Sequence, residues 1–224
     1  MSDLKVRPPK DKRKSPHAKP AYGARRLRLG GTIGRECRRA ARTWPCATGR
    51  EAQMTSADVI DLYAALQNQG VKIWVDGGWG VDALLGEQTR SHGDLDITIE
   101  QKDVPMLREL LQDRGYREIK LEVARPWNFV LGDASGREID VHVIVLDEKG
   151  DGLYGPAEKG EMYPAAALTG TGTIGVQTVR CISPEWAIQF HSGYELKEKD
   201  FRDVSALCAK FGIGLPAIYE RFRK

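Results

Sequence analysis

The chain has 224 residues, of which 41% are hydrophobic and 29% charged, and its formal net charge is +3. This composition excludes a wholly disordered or fibrous chain, and no apolar run approaches the roughly 18 residues that a membrane helix needs. No apolar signal segment follows Met1, so the sequence predicts a cytoplasmic protein without membrane association.

The charges are unevenly distributed along the chain. The first 50 residues contain 15 Lys/Arg and 3 Asp/Glu, whereas the remainder contains 19 and 28. This split predicts a basic, disordered extension over 1–53 and an acidic folded body after it. One interpretation of the extension is an arm for nucleic acid or organelle targeting. The other is a segment without a role, which is favoured because Met54 directly precedes the helix-capping Thr55, as expected if translation of the folded protein starts at Met54.

From residue 57 onwards, hydrophobic periodicity and capping residues predict a regular series of helices and strands. The predicted elements are a helix from 57 that ends at Gly70, a strand over Val71–Val75, a helix over Trp79–Leu85, a strand over Leu95–Ile99, a helix over Val104–Arg114, strands at 116–122, 126–131 and 137–146, an irregular stretch at 147–175 with Gly170 and Gly172 in turns, an extended segment over Val179–Ile182, and helices at 184–193, 199–211 and 216–223. Strands dominate the first half and helices the second, so we expect an α+β fold with a mixed β-sheet flanked by helices. The expected organisation is a core over 54–147 and a loop-rich, helical C-terminal region over 148–224.

Three aspartates fall on two of the predicted strands. Asp94 and Asp96 lie two residues apart and therefore on one face of their strand, and Asp140 shares a face with His142 on the later strand. If these strands are neighbours, the three carboxylates converge and require a cation such as Mg²⁺, which prefers oxygen ligands. The alternative is a set of solvated acids, because an Asp-x-Asp pair often occurs by chance.

A glycine pair precedes the aspartates. Gly77 and Gly78 lie between a strand and a helix N-terminus, where free backbone N–H groups attract phosphate and glycine allows a close approach of the ligand. The pair alone is also consistent with a simple tight turn. Glycines followed by an acid pair indicate nucleotide chemistry.

These motifs resemble a known family. The segments WVDGGWGVDAL (74–84), TR (89–90) and HGDLD (92–96) resemble the antibiotic nucleotidyltransferases, most closely the small lincosamide enzymes and more distantly the aminoglycoside 2″-adenylyltransferases. The segments CIS (181–183) and FHSGY (190–194) are also similar to the lincosamide type. The resemblance covers roughly 55–210 and implies the polymerase-β-like nucleotidyltransferase fold, with a helical C-terminal subdomain and a dimer as the expected assembly.

The resemblance also implies roles for individual residues. Asp94 and Asp96 would hold Mg²⁺ and the nucleotide phosphates, and Asp140 would bind the metal or take the proton of the acceptor hydroxyl. Gly77 and Gly78 would contact the triphosphate through backbone N–H groups, since the Gly-Ser pair of the wider superfamily is Gly-Gly here.

Two basic residues are further candidates for phosphate contact. Arg90 lies shortly before the acid pair, and Lys199 opens a predicted helix within the charge run KEKD. For each of them, an ordinary surface cation is an equally good interpretation.

The expected activity is attack by a hydroxyl of a small, antibiotic-like acceptor on the α-phosphorus of ATP or another nucleoside triphosphate, which releases pyrophosphate. Two Mg²⁺ ions would stabilise the attacking and leaving oxygens. An acidic body suits a cationic acceptor such as a lincosamide or aminoglycoside. The alternatives are nucleotidyl transfer to a protein or tRNA, and a nucleic-acid-binding protein that uses the basic tail.

Overall fold

The computed structural model describes residues 53–119, 124–158, 160–192 and 196–222. Apart from Gln53, the predicted basic extension over 1–53 lies outside the described residues. The helices are α1 (Ser56–Asn68), α2 (Gly77–Leu85), α3 (Val104–Asp113), α4 (Pro184–Phe190) and α5 (Glu198–Phe211), and the strands are β1 (Ile73–Asp76), β2 (Asp94–Glu100), β3 (Arg117–Ile119), β4 (Asn128–Gly132), β5 (Glu138–Leu146), β6 (Gly152–Tyr154), β7 (Glu161–Tyr163), β8 (Gly170–Ile174) and β9 (Gln177–Cys181). Short 3₁₀ helices cover Gln101–Asp103, Ala165–Thr169 and Ala217–Phe222.

The strands form one mixed sheet. Its order is β3-β4-β5-β2-β1-β9-β8, and β6 pairs with β5 and with β7. The β2–β5 and β1–β9 pairs are parallel, and the other pairs are antiparallel. The predicted α+β class with a mixed sheet and a helical C-terminal part is thereby confirmed. The predicted boundary between 54–147 and 148–224 falls between β5 and β6, where strand pairing continues, and the division into two regions stays a prediction.

The alternation of residues along the central strands separates an apolar from a polar face. Ile97 and Ile99 on β2, with Ile139 and Val141 on β5, are fully buried in the hydrophobic core. The residues that alternate with them, Asp96 on β2 and Asp140 on β5, point to the opposite face, because successive side chains of a strand alternate. The polar face carries the candidate site.

The stretch 147–175 was wrongly expected to be irregular, because it contains β6, β7 and β8. Gly170 and Gly172 are strand residues of β8, not turn residues. A Cβ atom at Gly172 would overlap the backbone of Ala83 on α2, so the glycine permits the strand to approach the helix closely. The strands β6 and β7 are only three residues long, and β8 contains two glycines. The alternation of polar and apolar residues is therefore too short to predict these strands from the sequence.

The C-terminal helices form near the predicted positions, although the last one is the 3₁₀ segment Ala217–Phe222. Cys181 and Cys208 are free and buried. None of the helices in the described part of the chain combines the length and apolar character of a transmembrane span.

Candidate active site

Strand register places three aspartates side by side. Asp76 at the end of β1 pairs with Asp96 on β2, and Asp96 pairs with Asp140 on β5. Residues directly opposite on neighbouring strands lie on the same face of the sheet, so the three carboxylates are neighbours. We call these three residues the acid row. The structure thus brings Asp96 and Asp140 together and adds Asp76, which directly precedes the glycine pair and which no sequence pattern singled out.

A histidine lies against the acid row. The Nε2 atom of His142 is 3.9 Å from Oδ1 of Asp96 and 3.9 Å from Oδ1 of Asp140. One ligand atom from each of these three residues lies within 4.8 Å of the others. Burial lowers the pKa of His142, but the charges of Asp140, Asp96 and Asp76 outweigh it and raise that pKa to about 9. His142 is therefore an imidazolium at neutral pH and neutralises part of the acid row.

Asp76 joins the acid row to helix α2. It is the N-cap of the helix, and its side chain accepts a hydrogen bond of 2.7 Å from the backbone N–H of Gly77. Burial raises the pKa of Asp76, the nearby charge of His142 lowers it, and Asp96 raises it further. The net effect is an increase, because a buried carboxylate lacks the solvation that stabilises its charge.

Asp94 lies at the exposed edge of this face. It is the first residue of β2 and pairs with Glu138, and it is not one of the three residues whose ligand atoms cluster. Burial lowers the pKa of Arg90, but nearby carboxylates outweigh it and raise that pKa overall. Asp203 contributes most to this rise, and the charge of Asp94 adds to it. The structure therefore groups Asp96 with Asp140 and leaves Asp94 outside that cluster, where its charge acts on Arg90.

Asp140 has a neutral partner that the sequence analysis missed. The side-chain amide of Asn128 on β4 donates a hydrogen bond of 2.7 Å to Oδ1 of Asp140. This contact depends on the antiparallel pairing of β4 with β5, which places Asn128 opposite His142. No local motif around Asn128 indicates it.

The glycine pair is enclosed by functional side chains. Gly77 has φ +56°, and a Cβ atom there would overlap the carboxylate of Asp96. A Cβ atom at Gly78 would overlap Nδ1 of His92 and come within 2.6 Å of Nη2 of Arg90. Gly77 has a backbone conformation that favours glycine, whereas a side chain at Gly78 would have to displace His92 or Arg90, and the start of α2 lies directly between the acid row and Arg90.

The loop between α2 and β2 is fixed by two buried aspartates. Asp82 Oδ1 accepts hydrogen bonds from the N–H of Thr89 at 3.1 Å and from its hydroxyl at 2.6 Å, and Oδ2 bonds to Nε2 of His92. The guanidinium of Arg90 forms a salt bridge with Asp203 of α5, with Nη2 2.9 Å from Oδ2. We call these five residues the loop cluster. Burial raises the pKa of Asp82, but the bonds from His92 and Thr89 outweigh it and lower that pKa overall.

The two basic candidates differ in their surroundings. Arg90 is part of the loop cluster and keeps 30% of its side-chain surface exposed beside Gly78. Lys199 lies in the first turn of α5 and is exposed, whereas Asp200 and Asp203 of the same helix are buried. The structure thus brings Arg90, but not Lys199, into contact with the glycine pair.

Aromatic side chains continue from the acid row towards α4. Ring centroids are 5.7 Å apart for His142 and Tyr154, 5.9 Å for Tyr154 and Tyr163, 4.7 Å for Tyr163 and Phe190, and 5.8 Å for Phe190 and Trp186. Tyr154 and Tyr163 belong to β6 and β7, the short strands that the sequence did not reveal. These rings form an aromatic row next to the carboxylates, in which Tyr163 is buried and Tyr154, Phe190 and Trp186 are partly exposed.

Comparisons with known proteins agree with this arrangement. A family model described as aminoglycoside-2″-adenylyltransferase matches residues 58–207. A lincosamide resistance protein of Staphylococcus haemolyticus is 33% identical over 150 residues, which are 66% of this chain and 89% of that protein. A 2″-aminoglycoside nucleotidyltransferase of Escherichia coli is 33% identical over 61 residues, or 26% of this chain and 34% of that protein.

Two solved structures share the fold. The lincosamide antibiotic adenylyltransferase LnuA, with lincomycin bound, is 27% identical, with a TM-score of 0.63 over 73% of this chain and 100% of that chain. ANT(2″)-Ia, in complex with adenylyl-2″-tobramycin, is 22% identical, with a TM-score of 0.59 over 75% of this chain and 96% of that chain. These matches confirm the resemblance inferred from the sequence motifs, and the chain belongs to the aminoglycoside-2″-adenylyltransferase family of antibiotic nucleotidyltransferases.

Proposed function

We propose that the protein transfers AMP from ATP to a hydroxyl group of a lincosamide or aminoglycoside, with Mg²⁺ as the metal. The observation that carries this proposal is the strand register that sets Asp96 beside Asp140, directly against the glycine turn at the start of α2. Metal-assisted nucleotidyl transfer requires carboxylates that hold the metal next to backbone N–H groups that bind the phosphates.

The donor atoms of the site suit Mg²⁺. Asp96 and Asp140 offer oxygen ligands close together, and Asp94 provides a further carboxylate on the same face of β2. Mg²⁺, as one or two ions, would neutralise these charges and polarise the phosphate oxygens. Mg²⁺ prefers oxygen ligands, so the carboxylates, and not the imidazole of His142, are its proposed ligands.

The start of α2 provides the phosphate contacts in this proposal. The backbone N–H of Gly78 lies in the first turn of α2, where the helix dipole favours an anion, and the N–H of Gly77 would join it by exchanging its bond to Asp76 for one to a phosphate oxygen. Arg90 adds a cation against Gly78, and Lys199 is proposed to reach the pyrophosphate from the first turn of α5.

The reaction itself is a substitution at phosphorus. The acceptor oxygen forms a bond to the α-phosphorus of ATP while the bond from that phosphorus to the bridging oxygen of pyrophosphate breaks. Asp140 takes the hydroxyl proton, and the hydrogen bond from Asn128 fixes the orientation of its carboxylate. Pyrophosphate leaves on the side of Arg90.

The proposed acceptors follow from the relatives and from the site. The relatives named above are a lincosamide resistance protein and a 2″-aminoglycoside nucleotidyltransferase, and the partly exposed rings of Tyr154, Phe190 and Trp186 offer apolar contacts for a ring-containing acceptor. The acidic body suits the protonated amines of both classes. A cytoplasmic location and a homodimer stay predictions of the same proposal.

The test is pyrophosphate release by the purified protein with ATP and MgCl₂ in the presence of lincomycin, clindamycin, tobramycin or kanamycin. We expect release with at least one drug and a drug mass increased by one AMP. Asp96→Asn should reduce the rate about 10³-fold through loss of a metal ligand. Asp113→Asn, an exposed acid at the end of α3, should leave it unchanged.

The competing functions give different outcomes. If AMP becomes attached to a protein or tRNA while every drug stays unmodified, the acceptor is a macromolecule and not a small antibiotic. Nucleic-acid binding that is lost on deletion of residues 1–53, without pyrophosphate release under any condition, would overturn the enzymatic proposal.

A further inference from the structure

We propose that Asp203 is a positioning residue that holds the guanidinium of Arg90 beside Gly78, so that Arg90 contacts the polyphosphate of the nucleotide. The inference rests on the proposed function, because it assigns the phosphate-binding geometry of the same site. It adds a residue 113 positions away from Arg90 that no motif connects with nucleotide binding.

The contact with Asp203 fixes the orientation of the Arg90 guanidinium. Nε of Arg90 lies 3.3 Å from Oδ2 of Asp203, and Nη2 lies 2.9 Å from the same oxygen. Asp203 is only 4% exposed, whereas the Arg90 side chain is 30% exposed. The buried carboxylate on α5 is thus the fixed partner, and it grips one edge of a guanidinium whose remainder reaches the site.

The salt bridge with Asp203 leaves N–H groups of the Arg90 guanidinium available to a ligand. A guanidinium carries five N–H groups, and Asp203 engages those on Nε and one on Nη2. A weak bond of 3.4 Å from Nη1 to the carbonyl of Ser91 uses one more. Two N–H groups thus remain for an anion, one on each terminal nitrogen, and Nη2 is the nitrogen that lies against Gly78.

The backbone of Arg90 is fixed independently of its side chain. Asp82, which is 2% exposed, bonds to Thr89 on one side of Arg90 and to His92 on the other. An arginine side chain that is free in solution loses rotamer entropy when it binds a ligand. Since Arg90 is held at both its backbone and its guanidinium, it meets the phosphate with most of that entropy already lost.

Asp203 also has an opposing effect, because its negative charge reduces the attraction of Arg90 for phosphate. The two effects predict opposite results when the charge is removed. If orientation dominates, Asp203→Asn weakens phosphate binding, and if charge dominates, the same change strengthens it. The proposal commits to the first result.

The experiment measures binding by titration calorimetry to the full chain, with MgCl₂ present, for three probes: ATP, inorganic tripolyphosphate and adenosine. Asp203→Asn should weaken ATP and tripolyphosphate about tenfold and leave adenosine unchanged. In an Arg90→Ala background, Asp203→Asn should change ATP affinity less than about twofold, because the residue acts through Arg90. Glu198→Gln, which removes an exposed charge from the same helix, is the matched control.

The outcomes separate this inference from the proposed function. If the wild-type protein binds neither ATP nor tripolyphosphate, the proposed function fails with it. If the wild type binds ATP and Asp203→Asn binds equally or more tightly, or loses affinity for adenosine in parallel, the positioning role is overturned while the proposed function stands. Thermal unfolding of each variant checks that it is folded.

Discussion

The acid row and the loop cluster both contain buried aspartates, but their charges are balanced in different ways. In the loop cluster, Asp82 bonds to His92 and Asp203 pairs with Arg90, so each buried carboxylate has its own partner. In the acid row, one histidine is shared: Nε2 of His142 lies 3.9 Å from both Asp96 and Asp140, and its charge also acts on Asp76. We therefore expect that the carboxylates of the loop cluster need no added cation, whereas a divalent cation from solution should stabilise the acid row further.

The largest effect expected from this contrast concerns Asp82. Asp82→Ala leaves His92 buried without its carboxylate, and breaking a buried pair in this way costs about 3–5 kcal/mol of the free energy of unfolding. Urea denaturation measures it. Asp61→Ala removes a solvent-exposed partner of Arg114 and should cost less than about 1 kcal/mol. Equal losses in the two variants would contradict the assignment.

The next effect concerns the orientation of the acid row. Asn128→Ala removes the hydrogen bond to Asp140, and bonds to charged groups contribute about 1.5–3 kcal/mol, so activity should fall about 10- to 100-fold. Steady-state rates with saturating ATP give the result. Asn68→Ala, at the exposed end of α1, serves as the control and should retain full activity. Wild-type activity in Asn128→Ala would show that Asp140 needs no such support.

A divalent cation should stabilise the acid row selectively. At a Mg²⁺ concentration ten times its Kd, the wild-type protein gains about 1.4 kcal/mol, which thermal unfolding detects as a higher Tm. Asp96→Asn should lose most of this gain, and KCl at matched ionic strength corrects for screening. The same increase in both proteins would place the ion elsewhere.

The smallest effect expected is a gain in stability from Asp76→Asn. The pKa of Asp76 is raised in the folded state, so its ionised form opposes folding, and wild-type stability falls as the pH rises through that pKa. Asparagine keeps the N-cap and accepts the bond from Gly77 without charge. Without divalent ions, the variant should be more stable by roughly 1 kcal/mol at pH 8, and the gain should shrink towards pH 4. A gain that does not change with pH would exclude ionisation as its cause.

The central features of the fold and of the acid row follow from local sequence rules. The alternation in Leu95–Ile99 predicts which residues of β2 face the core, and the strand predicted at 137–146 corresponds closely to β5. Once these two strands are neighbours, the placement of Asp96 beside Asp140 requires only their register.

The loop cluster and the supports of the acid row could not be predicted in this way. The pair of Arg90 with Asp203 and the pair of Asn128 with Asp140 join different elements, and neither leaves a periodic or spacing signal. Asp76 was overlooked because a polar residue before Gly-Gly is typical of a turn, and only the pairing of β1 with β2 reveals it as a neighbour of Asp96.

The contact of Gly78 with Arg90 and His92 has an evolutionary consequence. A side chain at position 78 would need the space that these two residues fill, so replacement of the glycine is compatible with the fold only where the loop partners are smaller or directed elsewhere. Positions 78, 90 and 92 should therefore covary among descendants of a common ancestor, and Asp203 should be lost in lineages that have lost Arg90. Directed evolution towards a new acceptor should meet the same coupling, because single changes at Gly78 would be rejected until the loop has changed first.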